Sequence, residues 1–194
     1  LCAYQTQKKK DTLRQGGAIY EAIRRRGLKY ISPPASFEQA GQKIRLAERI
    51  LENGLGTCLD LALFLASCFE QAGLHPLVVF TKGHAFAGFW LVEETFSDVV
   101  GDDVLRLRKR VELAEICLVE TTTLTSAPPN DFNLAAQLGK TKLENEQDFV
   151  CVVDVARCRK AAIRPLPLRG QHGGTERARS GQAKDGTTLP PDLS

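Results

Sequence analysis

Three side chains in this sequence have the types and order needed for thiol chemistry: Cys58, His84 and Glu120. Nucleophilic catalysis by a thiol needs a thiolate, a base that holds and relays its proton, and a group that orients the base. Cys58 stands in Asn53-Gly54-Leu55-Gly56-Thr57-Cys58-Leu59-Asp60, where a loop with two glycines hands over to an apolar stretch from Leu59 to Phe69. Thr57 and Asp60 have the spacing of a capping box, in which each side chain bonds the other residue's backbone N–H at a helix start. Cys58 then falls in the first helical turn, where unpaired N–H groups and the helix dipole favour an anion. A thiolate gains from that placement.

The base must come from three histidines, His75, His84 and His172. His172 lies in a Gly- and charge-rich tail with no core pattern. His75 sits in Gly73-Leu74-His75-Pro76, the turn that should end the helix, and reads as a surface residue. His84 opens the run His84-Ala85-Phe86-Ala87-Gly88-Phe89-Trp90-Leu91-Val92, which reads as a strand buried on both faces. Elimination therefore favours His84 as the base, with a core or turn histidine as the alternative. Glu120 follows the apolar residues Ile116-Cys117-Leu118-Val119 and precedes Thr121-Thr122-Thr123. Such a carboxylate is either a satisfied strand-end residue or the partner of a buried imidazole.

The elements that must position these groups follow from the apolar spacing. Residues 1–30 read as helical, Pro33-Pro34 interrupts, Ser36-Phe37-Glu38 starts a short helix, and Ile44 to Leu51 is amphipathic. The helix from Thr57 to about Ala72 is apolar nearly all round, which predicts a buried central helix capped by Gly73. Leu77 to Phe80, a turn at Thr81-Lys82-Gly83 and the His84 run form a β-hairpin. Asp102 to Glu115 and Phe132 to Leu143 have helical spacing, and Ile116 to Val119 and Phe149 to Val155 read as strands. Helices first and then strands joined by short turns indicate an α+β domain with a small antiparallel sheet. From about Arg169 the chain is poor in apolar residues and reads as a disordered linker or tail, which leaves residues 1–168 for the domain.

Composition sets bounds on function. The chain has 194 residues, room for one domain with a real core. A formal net charge of +3 is mild for a nucleic-acid binder. The runs Lys8-Lys9-Lys10, Arg24-Arg25-Arg26 and Arg106 to Arg110 have no interleaved aromatic residues, so they read as solvated helix faces, with nucleic-acid contact as the alternative. No stretch approaches the ~18 apolar residues of a membrane span, and no signal peptide is evident. The six cysteines form no C-x-x-C pair and no zinc pattern; Cys68, Cys117 and Cys151 read as small core residues. Free thiols suit a reducing cytoplasm, and no metal or cofactor is expected. The chain begins with Leu and contains no Met, which reads as a fragment of something longer. Gly139-Lys140-Thr141 echoes the end of a phosphate-binding P-loop, but position 134 is Leu and a helical pattern precedes it.

The order Gly-x-Cys at a helix start, a Gly-His strand and an acid-x-Thr strand end resembles the transglutaminase-like core of the papain-type superfamily. More narrowly, Pro33-Pro34-Ala35-Ser36-Phe37, Gly56-Thr57-Cys58-Leu59-Asp60-Leu61-Ala62, Gly73-Leu74-His75-Pro76-Leu77, Gly83-His84-Ala85-Phe86, Glu120-Thr121-Thr122 and Ile163-Arg164-Pro165-Leu166-Pro167 resemble a transglutaminase-like module of large bacterial helicase-related proteins. The resemblance covers roughly residues 15–168. It implies Cys58 as nucleophile, His84 as base and Glu120 as orienting acid, where many relatives carry aspartate. It also implies acyl transfer from an amide or peptide carbonyl through a thioester, on a protein or peptide substrate. The oxyanion would be held by the Cys58 N–H and one further donor, with Gln42 and Asn53 as candidates. Three functions follow as expectations: an active thiol hydrolase or acyl transferase, an inactive docking module working with other domains of its parent protein, and a nucleic-acid-contacting accessory domain.

Overall fold

A computed structural model describes residues 3–32, 43–128 and 130–165. The chain divides into two units, 1–164 and 165–194, and the first contains every element below. Readings that involve Cys2, the segment from Pro33 to Gln42, the end of the string at Leu166-Pro167, the tail from Arg169 and His172 lie outside the described residues.

The observed class is α+β, with helices packed on a five-stranded antiparallel sheet. The first helix, α1 (Lys9–Arg24), buries Thr12, Gly16, Tyr20 and Ile23 along one stripe. It is shorter than the helical reading of residues 1–30. Gln7 adopts a positive φ, and the Tyr4 hydroxyl ties the preceding turn to the sheet by donating to the Trp90 carbonyl at 2.9 Å. Beyond α1 the chain turns extended as β1 (Lys29–Tyr30). Helix α2 (Ala47–Asn53) starts three residues later than Ile44, and it ends at Gly54, whose φ of 65° is one that glycine adopts without steric cost. Next come β2 (Leu55–Gly56) and the central helix α3 (Cys58–Gln71).

Strands β3 (Pro76–Thr81) and β4 (His84–Trp90) form the expected hairpin. They are followed by β5 (Val100–Gly101), α4 (Val104–Glu112), β6 (Ile116–Val119), a 3₁₀ turn (Thr121–Thr125), α5 (Phe132–Thr141), β7 (Phe149–Asp154) and α6 (Val155–Lys160). The sheet order is β5-β7-β3-β4-β6. Both faces of the central strands are covered, which is why their middle positions are apolar, polar residues standing only at strand ends (Thr81, His84, Asp154). Phe89, Cys117 and Val119 pack with α1 and α3, whereas Phe86, Trp90, Ile116 and Leu118 pack with Leu107 of α4 on the other side. Ala62 and Ala66 of α3 meet Val78 and Ala85, so small side chains let the helix lie close to the hairpin.

The strand readings at Leu77, His84, Ile116 and Phe149 match observed strands. The β1–β2 and β5 pieces and α6 were not expected from the sequence, because two-residue strands and a six-residue helix carry too little periodicity. Asp154 starts α6 from a fully buried position, accepting from the Trp90 indole N–H at 3.0 Å and the Phe96 N–H at 2.8 Å. Of the cysteines read as core, Cys117 is buried, but Cys68 and Cys151 are only half-buried.

Candidate active site

Cys58 is placed by its neighbours on either side in sequence. The capping box forms as its spacing predicts: Asp60 N–H donates to Thr57 Oγ1 at 3.2 Å, and Thr57 N–H donates to Asp60 Oδ2 at 3.0 Å. The structure adds a tie that spacing does not reveal. Arg45 donates its N–H to Asp60 Oδ1 at 2.7 Å and its guanidinium to Oδ2 at 2.8 Å. Burial alone would raise the Asp60 carboxyl, but the Arg45 and Thr57 N–H groups and the Arg45 guanidinium hold it below the ordinary carboxylate range. A fully buried carboxylate thus ties the start of α3 to the segment before α2.

A parallel ladder pins the incoming loop. Lys29 N–H donates to the Gly54 carbonyl at 2.8 Å and Ile31 N–H to the Gly56 carbonyl at 3.1 Å. Cys58 follows directly as the first residue of α3, buried but not enclosed, with 7% of its surface exposed.

His84 and Glu120 meet because β4 and β6 are antiparallel neighbours. The register sets Ala87 opposite Val119, so the residue after Val119 arrives beside the start of β4. His84 Nε2 and Glu120 Oε2 are 2.8 Å apart. The other carboxylate oxygen accepts from Thr122 N–H at 3.0 Å and from Thr122 Oγ1 at 2.7 Å. The backbone N–H of Glu120 donates to Ala135 of α5 at 2.9 Å, which fixes the strand end. With Nε2 engaged by Glu120, Nδ1 is the ring nitrogen left for Cys58, whose thiol is lowered by the imidazole and in turn raises it.

The three predicted side chains therefore form one continuous chain, Cys58 to His84 to Glu120. Their electrostatics are mutually consistent. Burial opposes ionisation of Cys58, but the His84 imidazole and the N–H groups of Ala85 and Leu59 outweigh it and bring the thiol below its ordinary value. The bonds from Cys58 and Glu120 raise His84 to about 9. Burial pushes Glu120 up, and the His84 and Thr122 contacts bring it back below the usual carboxylate range. The direction is that of a thiolate–imidazolium pair oriented by a carboxylate. The neighbouring thiols run the other way: burial raises Cys68, Cys117, Cys151 and Cys158.

The chain matches no family model, and it has no significant match to a curated protein or a solved structure. What the site can do is therefore read from its own residues.

Tyr30 is a neighbour of Cys58 that sequence reasoning missed. It pairs with Gly56 in the β1–β2 ladder, and burial together with the charge of the nearby Cys58 raises its phenol above the ordinary value. A tyrosine in a two-residue strand gives no signal in a sequence; only the β1–β2 ladder reveals it. Asn53, one candidate for a second oxyanion donor, is the exposed last residue of α2, and Gln42 lies outside the described residues. His75 is half-buried, its ring edge-on to Tyr4 and its Nδ1 2.7 Å from the Glu94 carbonyl. Gly139, in the segment that echoes a P-loop, lies inside α5 against the β6 backbone. Among the described residues no cluster of His, Cys, Asp or Glu is arranged to hold a metal ion, and no helix is long and apolar enough to cross a membrane.

Proposed function

We propose that this domain is a thiol hydrolase or acyl transferase with a transglutaminase-like core, acting on an amide or peptide carbonyl. The observation that carries the reading is the connected Cys58–His84–Glu120 chain, with its thiol lowered and its imidazole raised. The Cys58 thiolate adds to the carbonyl carbon, and the carbonyl electron pair moves onto oxygen. Collapse of that oxyanion expels the amine, which takes the proton from His84 Nδ1, and leaves a thioester on Cys58. Water or a second amine then gives its proton to His84 as it attacks the thioester, releasing the product and restoring the thiolate. Glu120 holds the imidazole in register and favours its charged form throughout. The substrate class is a protein or peptide, and the parent is a large bacterial helicase-related protein, both on the strength of the motif strings.

The test is residue-resolved labelling of the full chain by iodoacetamide near neutral pH, read by mass spectrometry. Cys58 is expected to react ahead of the other cysteines. An ordinary-thiol pH profile at Cys58 would overturn the proposal. The limited exposure of Cys58 favours a second reading, an inactive docking module within the same parent. Under that reading Cys58→Ala leaves the parent's function intact; complete loss in a stably folded variant counts against it.

A further inference from the structure

We infer that Arg45 is a positioning residue of this site: its guanidinium cancels the charge of the buried Asp60 carboxylate, so that the start of α3 presents Cys58 with a positive potential. The inference rests on the catalytic reading above and accounts for a nucleophile that stands two residues from an acid.

The helix start creates the conflict. Cys58 and Asp60 share the first turn of α3, and Asp60 is fully buried. The unpaired N–H groups there amount to about half a positive charge, whereas a carboxylate carries a full negative one. Standing alone, Asp60 would outweigh the helix start and oppose a thiolate on Cys58. Water screens a side chain without exposed surface only weakly. Thr57 gives Asp60 a hydrogen bond but no charge.

Arg45 supplies the charge. Its guanidinium lies 2.8 Å from Asp60 Oδ2, the oxygen that also accepts from Thr57 N–H, and its backbone N–H donates to Oδ1 at 2.7 Å. Charges on the other elements do not replace it. His84 on β4 lowers the same thiol, but Glu120 stands behind it, with Lys142 4.0 Å from that carboxylate. Tyr30 on β1 carries no charge at neutral pH, its phenol being raised. Strand β3 and the 3₁₀ turn have no ionisable side chain. The buried stripe of α1 offers only Tyr20, committed to Thr123 at 2.8 Å, and α2 turns only Ile50 inward. Glu70, near the far end of α3, pairs with Arg159. Among the described residues, Arg45 is the cation that meets the carboxylate beside the nucleophile.

The test reads the pH profile of Cys58 alkylation by iodoacetamide, residue by residue on the full chain, with circular dichroism as the check of fold. Any substitution at position 45 keeps the backbone N–H, so Asp60 retains two N–H donors and stays ionised. Arg45→Met keeps an unbranched stem and removes the charge. It is expected to raise the thiol by about 0.5–1 unit, roughly threefold to tenfold less thiolate near neutral pH. Arg45→Lys should recover most of that shift. Asp60→Asn, which leaves Arg45 unopposed, should move the thiol in the opposite direction. Arg45→Met combined with Asp60→Asn should bring it back to within about 0.3 unit of the unaltered chain, because the two charges act as a pair. A loosened helix start would instead raise the thiol in every variant, with no reversal by the second substitution. An unchanged profile in folded Arg45→Met overturns the inference, and so does a rise that the double variant fails to reverse. Should Arg45→Met not fold, Asp60→Asn decides: a thiol that does not fall overturns the inference. An ordinary-thiol profile in the unaltered chain counts against the catalytic reading, while the differences between chains still decide the role of Arg45.

Discussion

Glu120 meets His84 at 2.8 Å with one carboxylate oxygen while Thr122 holds the other through both its N–H and its hydroxyl. Glu120 makes both contacts from the position just beyond β6, which ends at Val119. Lys142 lies 4.0 Å from the same oxygen that faces His84, adding positive charge on the outer side.

Shortening that side chain should therefore be felt. Glu120→Asp withdraws the carboxylate by about 1.3 Å, beyond hydrogen-bond reach unless the strand end moves. Glu120→Gln keeps the length and removes the charge that favours imidazolium. In both variants the Cys58 thiol is expected to rise toward its ordinary value, and each unit of rise costs about tenfold in thiolate near neutral pH. Iodoacetamide rates across a pH series measure this directly. Equal profiles in all three chains would deny Glu120 any part in setting the thiol.

His84 should titrate near 9, a value that NMR of the imidazole can read directly. Its largest support is the bond to Cys58, so Cys58→Ala is expected to bring the titration down toward the ordinary range. The linkage has a definite sign. The folded value, about 9, lies above the unfolded value of 6.5, so the His84 contribution to stability is complete below the latter and is lost as pH rises through the former. The stability gap between the unaltered chain and His84→Gln, measured by urea denaturation, should narrow across that window. A gap independent of pH would mean that folding does not raise the His84 imidazole above its unfolded value.

Asp60 is the structural keystone beside the nucleophile. Asp60→Ala removes one half of the capping box and leaves the buried N–H of Thr57 and the Arg45 contacts unmet. The expected cost is about 2–4 kcal/mol, a cap plus at least one unsatisfied buried donor. Denaturation midpoints will show it, and Asp60→Asn, which keeps an acceptor, should lose less. An Asp60→Ala variant within about 0.5 kcal/mol of the unaltered chain would contradict this role for the carboxylate.

Gly139 controls how closely α5 approaches the strand that ends at Glu120. A Cβ at Gly139 would lie 2.8 Å from Val119 N and 3.1 Å from Glu120 N, both backbone atoms that cannot swing aside. Gly139→Ala should destabilise the fold by about 1–3 kcal/mol and shift the end of β6. The shift gives a second readout, slower alkylation of Cys58 in a variant that is still folded. Unchanged stability and unchanged alkylation together would show that α5 yields freely.

Much of the site was legible as local pattern. Thr57 and Asp60 announce a helix start three residues apart, the apolar run behind Cys58 announces a buried helix, and the unbroken apolar run after His84 announces a strand buried on both faces. Each of those signals is complete within a few residues, so no distant contact is needed to read it. Tyr30 and Arg45 carried no such signal. Their importance depends on partners 26 and 15 residues away in the chain, Gly56 and Asp60, respectively.

By itself the sequence determined the longer elements, α3, the β3–β4 hairpin and β6 among them, and the order in which a thiol, an imidazole and a carboxylate arrive on them. Capping, periodicity and turn chemistry are properties of neighbouring residues, and they act wherever those residues occur. Only the tertiary structure decided that the three groups touch. That outcome depends on the pairing of β4 with β6, on the packing of α3 across the hairpin and on the short ladder that holds Leu55 and Gly56 just before Cys58. Pairings of this kind are chosen by the burial of both sheet faces together, and no single stretch of the chain encodes them.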